Sequence, residues 1–175
     1  FERLYSDDAS ETDIYIQNVY ATLYAFRNDP RASISMLRTA LVNTRRLNKA
    51  LQDMLHNMNK FFAKLLKQDS YSGILREHLD SYVEEVVWRK YHILKTSDNF
   101  YIYKMDIKKC LKDIRDDEAF IERVQARSRV LGDNQDDVTE LLDMIERGFD
   151  DIEHRIANMD KEHTKYVRAT VTRMN

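Results

Sequence analysis

Aspartate and histidine recur three residues apart near the carboxyl end of the chain, in Asp151-x-x-His154 and Asp160-x-x-His163. On a helix this spacing turns a carboxylate and an imidazole to the same side. Di-iron bundles use such units, but they take them from different helices and add two more carboxylates from others. Here both pairs fall on one helical pattern, and the long pattern that starts at Pro30 offers only Asp53 as an acid. No metal, catalytic residue or other cofactor is therefore expected, and His163 reads as a core histidine bonded to a neighbour. Three glycines make no phosphate-binding loop, and there is no zinc-protease signature or nucleophile elbow. Cys110 is the single cysteine, which leaves no internal disulfide or cysteine metal cluster and suits a small apolar filler in a reducing cytoplasm.

A second chemistry is electrostatic. Arg31, Arg38 and Arg45 repeat every seven residues, and Arg46 and Lys49 extend the stripe. The stripe could meet DNA phosphates or an acidic partner. The favoured reading is a solvated flank that pairs with acids of a neighbouring helix, such as Glu140, Asp143 or Asp150. The net charge of −2 and a pI near 6.2 give no global pull toward nucleic acid or anionic lipid, so any DNA contact would be local.

Three glycines and one proline in 175 residues are too few for a β-rich domain, and 33% charged with 43% hydrophobic residues suits long helices with one wet face. The expectation is an all-α fold: a single domain, an elongated bundle of four to five helices, two of them long (about 38–40 residues) and heptad-patterned. No apolar run reaches the roughly 20 residues of a membrane span. The expected location is cytoplasmic.

A first helix with Ile16, Val19, Tyr20 and Leu23 on one face ends near Asn28. Asp29-Pro30 marks a corner, with Pro30 at the first position of a helix running to about Lys67. Its core row is Ile34, Leu37, Leu41, Thr44, Asn48, Leu51, Leu55, Met58, Phe62 and Leu65, and a second row, Ala40, Leu47, Met54 and Phe61, widens the face enough for two neighbours. Asn48 reads either as a register-fixing amide or as a wet one at a thin spot. Gln68 to Gly73 is a turn. A third helix, with Leu75, Leu79, Tyr82, Val83, Val86, Ile93 and Leu94 inward, runs to about Lys95. Thr96-Ser97-Asp98-Asn99 is read as a break, and residues 86–104 as a helix pair or a hairpin across it. A fourth helical region spans about 100–131, with an interruption near Arg115-Asp116-Asp117 and an end at Gly132. The last helix starts at Asp136-Asp137 with a seam through Val138, Leu142, Ile145, Phe149, Ile152, Ile156 and Met159. From His163 through Tyr166 and Thr170 the seam turns polar, so these three are candidates for receiving a partner helix. Phe1 is no natural start, and the last helix has no stop signal, so the chain is expected to be a fragment of a longer one.

The runs Arg45-Arg46-Leu47-Asn48-Lys49-Ala50-Leu51 and Phe61-Phe62-Ala63-Lys64-Leu65-Leu66, followed by Tyr82-Val83-Glu84-Glu85-Val86-Val87-Trp88 and Leu94-Lys95-Thr96-Ser97-Asp98-Asn99, resemble the central helical region of JetA proteins. These are the kleisin-like subunits of bacterial Wadjet anti-plasmid systems, and the resemblance covers nearly the whole chain. It implies a non-enzymatic scaffold that bridges an SMC-like ATPase and other subunits. The complex it implies loops plasmid DNA, which a separate nuclease subunit cuts. Winged-helix regions that flank the helical part in that family are not recognised here. The partner expected is the ATPase coiled coil, with indirect or weak direct DNA contact, no membrane, and a homodimer left open. The competing expectation is a self-associating structural or signalling bundle unrelated to DNA.

Overall fold

The computed structural model describes residues 6–67, 76–132 and 136–174. Five helices and no strand occur among them: α1 (Ser6–Asn28), α2 (Ile34–Leu66), α3 (Arg76–Asp116), α4 (Glu118–Val130) and α5 (Val138–Met174). Helices α1, α2, α3 and α5 form a ring in which α1 touches α2 and α3, and α5 touches α2 and α3. Their sense follows from side-chain pairs. Arg38 reaches Asp136, Asn48 meets Arg155, and Phe62 stacks on Tyr166, so α2 and α5 run parallel. Lys104 bonds Glu153 and Arg115 bonds Asp143, so α3 and α5 run antiparallel.

The wide face expected of α2 is present. Leu37, Leu47, Leu51, Met58 and Phe62 are fully enclosed, and α2 packs on both α1 and α5, which is why two apolar rows, and not one, are needed on this helix. Asn48 is half-buried, and its side-chain oxygen accepts from Arg155 Nε at 2.5 Å. The seam of α5 from Val138 to Met159 is buried throughout.

Three features differ from expectation. Helix α2 starts at Ile34, not Pro30. Asp29 Oδ1 accepts from the Arg31 amide (2.8 Å) and the Asp29 carbonyl from the Ala32 amide (3.0 Å), so Asp29 and Pro30 build a tight turn instead of a first helical turn. Arg127 of α4 clamps this turn by donating to the carbonyls of Pro30 (3.2 Å) and Ala32 (3.3 Å). Second, neither a hairpin nor a helix pair forms over residues 86–104. Helix α3 is continuous for 41 residues through Thr96-Ser97-Asp98-Asn99. Thr96 and Phe100 are both buried on one face, and Asn99 donates to Asp13 of α1. Packing and a tertiary hydrogen bond outweigh weak local helix propensity, because nothing in this stretch forbids a helix. The long helices are thus three, not two. Third, Val83 and Leu94 point outward, about half exposed, whereas Ile93 is buried as expected. Leu75 and Leu79 lie outside the residues whose side chains are described, and the Gln68–Gly73 turn lies outside the described residues.

The remaining stops follow local chemistry. Asp117 caps α4 by accepting from the Phe120 amide at 3.1 Å. Gly132, at φ 78°, closes that helix in the left-handed region. Asp137 Oδ1 accepts from Thr139 (2.7 Å) and Glu140 (3.4 Å) at the start of α5.

One close approach sets the α2–α5 spacing. A Cβ on Gly148 would lie 2.6 Å from Thr44 Cγ2, and Thr44 is buried with its hydroxyl donating to the Ala40 carbonyl at 2.9 Å. Gly148→Ala should therefore destabilise the fold, because overpacking costs about 1–3 kcal/mol against the ~1 kcal/mol that alanine gains over glycine in a helix. Thr44→Ser removes only the obstructing methyl. Urea unfolding of both single variants and the double variant should show the double variant recovering most of the loss.

Candidate functional site

The arginine stripe of α2 divides in two. Arg38 is held by Asp136, with Nε 2.5 Å from the carboxylate, and Lys49 pairs with Asp53 one turn away at 3.5 Å. Arg31, Arg45 and Arg46 are exposed and make no ion pair among the described residues. Of the acids expected to answer the stripe, Asp143 and Asp150 serve α3 instead: Arg115 bridges Asp143 and Glu146 (2.6 Å each), and Lys108 reaches Asp150 at 3.4 Å. With Lys104–Glu153 (2.5 Å) and Lys90–Asp160 these pairs line the α3–α5 edge. The bond from Lys104 holds the Glu153 carboxyl below the usual carboxylate range. All are partly wet, so they fix register more than stability.

The polar end of the α5 seam is closed by the chain itself. His163 is buried, its Nε2 donating to the Val86 carbonyl of α3 at 3.3 Å and its ring edge-on to Phe62. Tyr166 stacks on Phe62 with ring centres 5.0 Å apart. Thr170 is buried and donates back to the Tyr166 carbonyl at 2.8 Å. At His163 and Tyr166 the seam expected to receive a partner helix already meets α2 and α3, whereas Thr170 is buried with its hydroxyl bonded within α5; a polar seam can pack once each polar atom finds a bond.

Burial, ahead of any other cause, lowers the His163 pKa, and the bond to Val86 only partly opposes this. The native imidazole stays neutral where the unfolded one takes a proton, so stability should fall as pH drops below about 6.5, until the native ring is protonated too. His163→Gln should flatten that slope, as measured by denaturation midpoints between neutral and mildly acidic pH.

Helix α3 contains the arrangement that sequence reading missed. Its inner face is polar in the first half: Glu85, Arg89, His92 and Thr96 are 4%, 7%, 3% and 2% exposed. Arg89 Nη2 pairs with Glu85 at 2.6 Å, and its guanidinium lies over the Phe61 ring at 4.3 Å. The outer face is apolar: Val87 is 63% exposed, Ile102 63% and Met105 71%, with Tyr91, Leu94 and Tyr101 each about half exposed. Trp88 lies between the faces, edge-on to His92 and stacked on Tyr91. The signal was present in the 4-3-4-3-4 spacing of Val87, Tyr91, Leu94, Asp98, Tyr101 and Met105, and reading a break at residues 96–99 cut it in half.

Chemistry beyond binding finds few groups to use. Asp151, His154 and Asp160 are exposed, and no three of His, Cys, Asp and Glu come together as metal ligands among the described residues. Cys110 is half-buried, and burial with Asp113 and Asp106 pushes its thiol pKa up, away from the reactive thiolate. No helix is long and apolar enough, among the described residues, to cross a membrane.

The family model described as Wadjet protein JetA matches residues 1–175. A Wadjet protein JetA from Bacillus cereus (strain Q1) is 21% identical over 145 residues, which are 77% of this chain and 32% of that protein. The chain thus spans about a third of the length of this relative. No solved structure matches. The match over the full length of the sequence places this chain in the Wadjet protein JetA family.

Proposed function

We propose that this chain is a non-enzymatic scaffold segment of a kleisin-like subunit in a plasmid-defence complex built on an SMC-like ATPase. The observation that carries this reading is the family match across all 175 residues. The architecture supports it: three helices of 33, 41 and 37 residues, α2, α3 and α5, are locked side by side. At 1.5 Å per residue they span about 50–60 Å. Such helices set distances between partners, and the role is positional. Binding of the ATPase coiled coil to this segment is the direct test. Purified chain, folded by circular dichroism, should retain the ATPase of the same operon in a pull-down, and absence of retention by the folded chain would sink the reading.

A second reading concerns DNA, and rests on Arg45 and Arg46 of α2, with Arg31 in the turn before it, standing exposed without acid partners among the described residues. Phosphate contacts by these side chains would give affinity that falls steeply with salt. Arg45→Ala with Arg46→Ala should then weaken duplex binding in fluorescence anisotropy, and an unchanged isotherm rejects it.

A further inference from the structure

We propose that the pocket between α4 and the turn at residues 29–33 docks an acidic segment of a partner polypeptide, with one apolar side chain entering the pocket and a neighbouring carboxylate held by Arg123. The proposal rests neither on the ATPase partnership nor on the DNA reading above. Pro30 and Ala32 of the turn and Phe120, Arg123, Val124 and Arg127 of α4 line a cavity of about 150 Å³. Pockets for small molecules and cofactors begin at roughly 300 Å³, so this one suits a single inserted side chain.

The charges of α4 are sorted onto two faces. Glu118 and Glu122 line a separate hollow with Arg115 and Asp143, whereas Arg123 and Arg127, one turn apart, border the pocket. Arg127 donates to the Pro30 and Ala32 carbonyls, which fixes its guanidinium without neutralising it. Arg123 lies over the Phe120 ring at 5.9 Å, is exposed, and makes no ion pair among the described residues. Arg31, exposed between Pro30 and Ala32, makes none either. Of the carboxylates nearby, Asp117 is paired with Arg27, and Asp29 accepts from the Arg31 amide. Arg31, Arg123 and Arg127 therefore stand against Asp29 alone, a surplus of positive charge that an acidic ligand would complement.

What borders the cations selects a polypeptide over a nucleic acid. Val130 and Leu131, three and four residues beyond Arg127 and so on its side of α4, are 86% and 71% exposed. A phosphate backbone offers no apolar group to cover them or to enter between Pro30 and Val124. A segment that mixes apolar and acidic residues does both while pairing the guanidiniums, the usual anatomy of an apolar centre with a polar rim.

NMR titration of the isotope-labelled chain with the blocked peptide acetyl-Leu-Glu-Leu-Glu-amide tests this. The Ala32 and Val124 amides and the Arg123 Nε–H should shift and saturate. The glutamine counterpart, acetyl-Leu-Gln-Leu-Gln-amide, keeps the shape without the charges and should bind about tenfold more weakly or worse. Arg123→Gln and Leu131→Asp, both at exposed positions, should each weaken binding of the acidic peptide by about tenfold while leaving the circular dichroism spectrum unchanged. Absence of saturable shifts at the pocket overturns the proposal. So do equal affinities for the two peptides, or binding of the acidic peptide that is indifferent to both substitutions. Inorganic phosphate that moves the same signals at lower concentration than the acidic peptide would make this a phosphate site, and overturns it too.

Discussion

Arg89→Ala is expected to lower the free energy of unfolding by about 3–5 kcal/mol, the range for removing one partner of a buried ion pair. Arg89 and Glu85 sit one helical turn apart, 2.6 Å between charged atoms, and each is more than nine-tenths enclosed. Truncating the arginine leaves the Glu85 carboxylate inside the bundle and strips the guanidinium from the face of Phe61. The loss comes from the charge left behind more than from the attraction removed. Glu85→Leu combined with Arg89→Met should therefore be close to neutral or stabilising, since apolar residues of similar volume carry no desolvation cost. Urea denaturation followed by circular dichroism separates the outcomes. A loss under about 1 kcal/mol for Arg89→Ala would mean that Glu85 reaches water or another donor on its own.

Phe62→Ala should cost a similar amount, about 3–5 kcal/mol, by the loss of a buried aromatic and the cavity it leaves. Phe62 is fully enclosed near the end of α2, stacked on Tyr166, edge-on to His163 and to Phe61. It is the residue through which α2 holds the polar end of α5. Its removal should also open a path for water to His163, and because burial is what lowers that imidazole's pKa, the loss of stability toward mildly acidic pH should shrink in the variant. Phe62→Leu should keep most of the stability and the pH slope. Denaturation of both variants at neutral and mildly acidic pH checks the two effects together. A Phe62→Ala chain that is weakened but keeps the full pH slope would show that Phe62 does not shield His163.

Local chemistry made much of the fold readable in advance. The two apolar rows of α2 and the seam of α5 follow from spacing alone, since side chains three and four apart share a helix face whatever lies opposite. The ends at Asn28, Asp117, Gly132 and Asp137 follow from cap chemistry that acts within a turn. Pro30 was less readable, because Asp-Pro serves both a helix start and a turn, and what decides between them is Arg127, about a hundred residues away.

The sites were less legible than the fold. Arg38 could be seen to need an acid, but which acid depends on how α5 begins beside α2, and it is Asp136. His163, Tyr166 and Thr170 looked too polar to close a core, yet the Val86 carbonyl, the Phe62 ring and a helix carbonyl satisfy or cover them. A polar residue at a core position is neutral evidence until its partner is known.

By itself the sequence determined that this protein is all helix, that α2 faces two neighbours, where most helices stop, and which family's helical pattern it carries. Those properties depend on residues within a few turns of one another. Only the tertiary structure decided that α3 runs unbroken through Thr96-Ser97-Asp98-Asn99, that its polar face turns inward onto Phe61, and that Val87, Tyr91, Leu94, Tyr101 and Met105 are left outside. Helix α3 has polar and apolar residues on opposite sides, and periodicity assigns the apolar side to the core by default. Here the ion pair of Glu85 and Arg89 and the bond from His163 to the Val86 carbonyl hold the other side in, so only the neighbouring helices could settle which face solvent would meet.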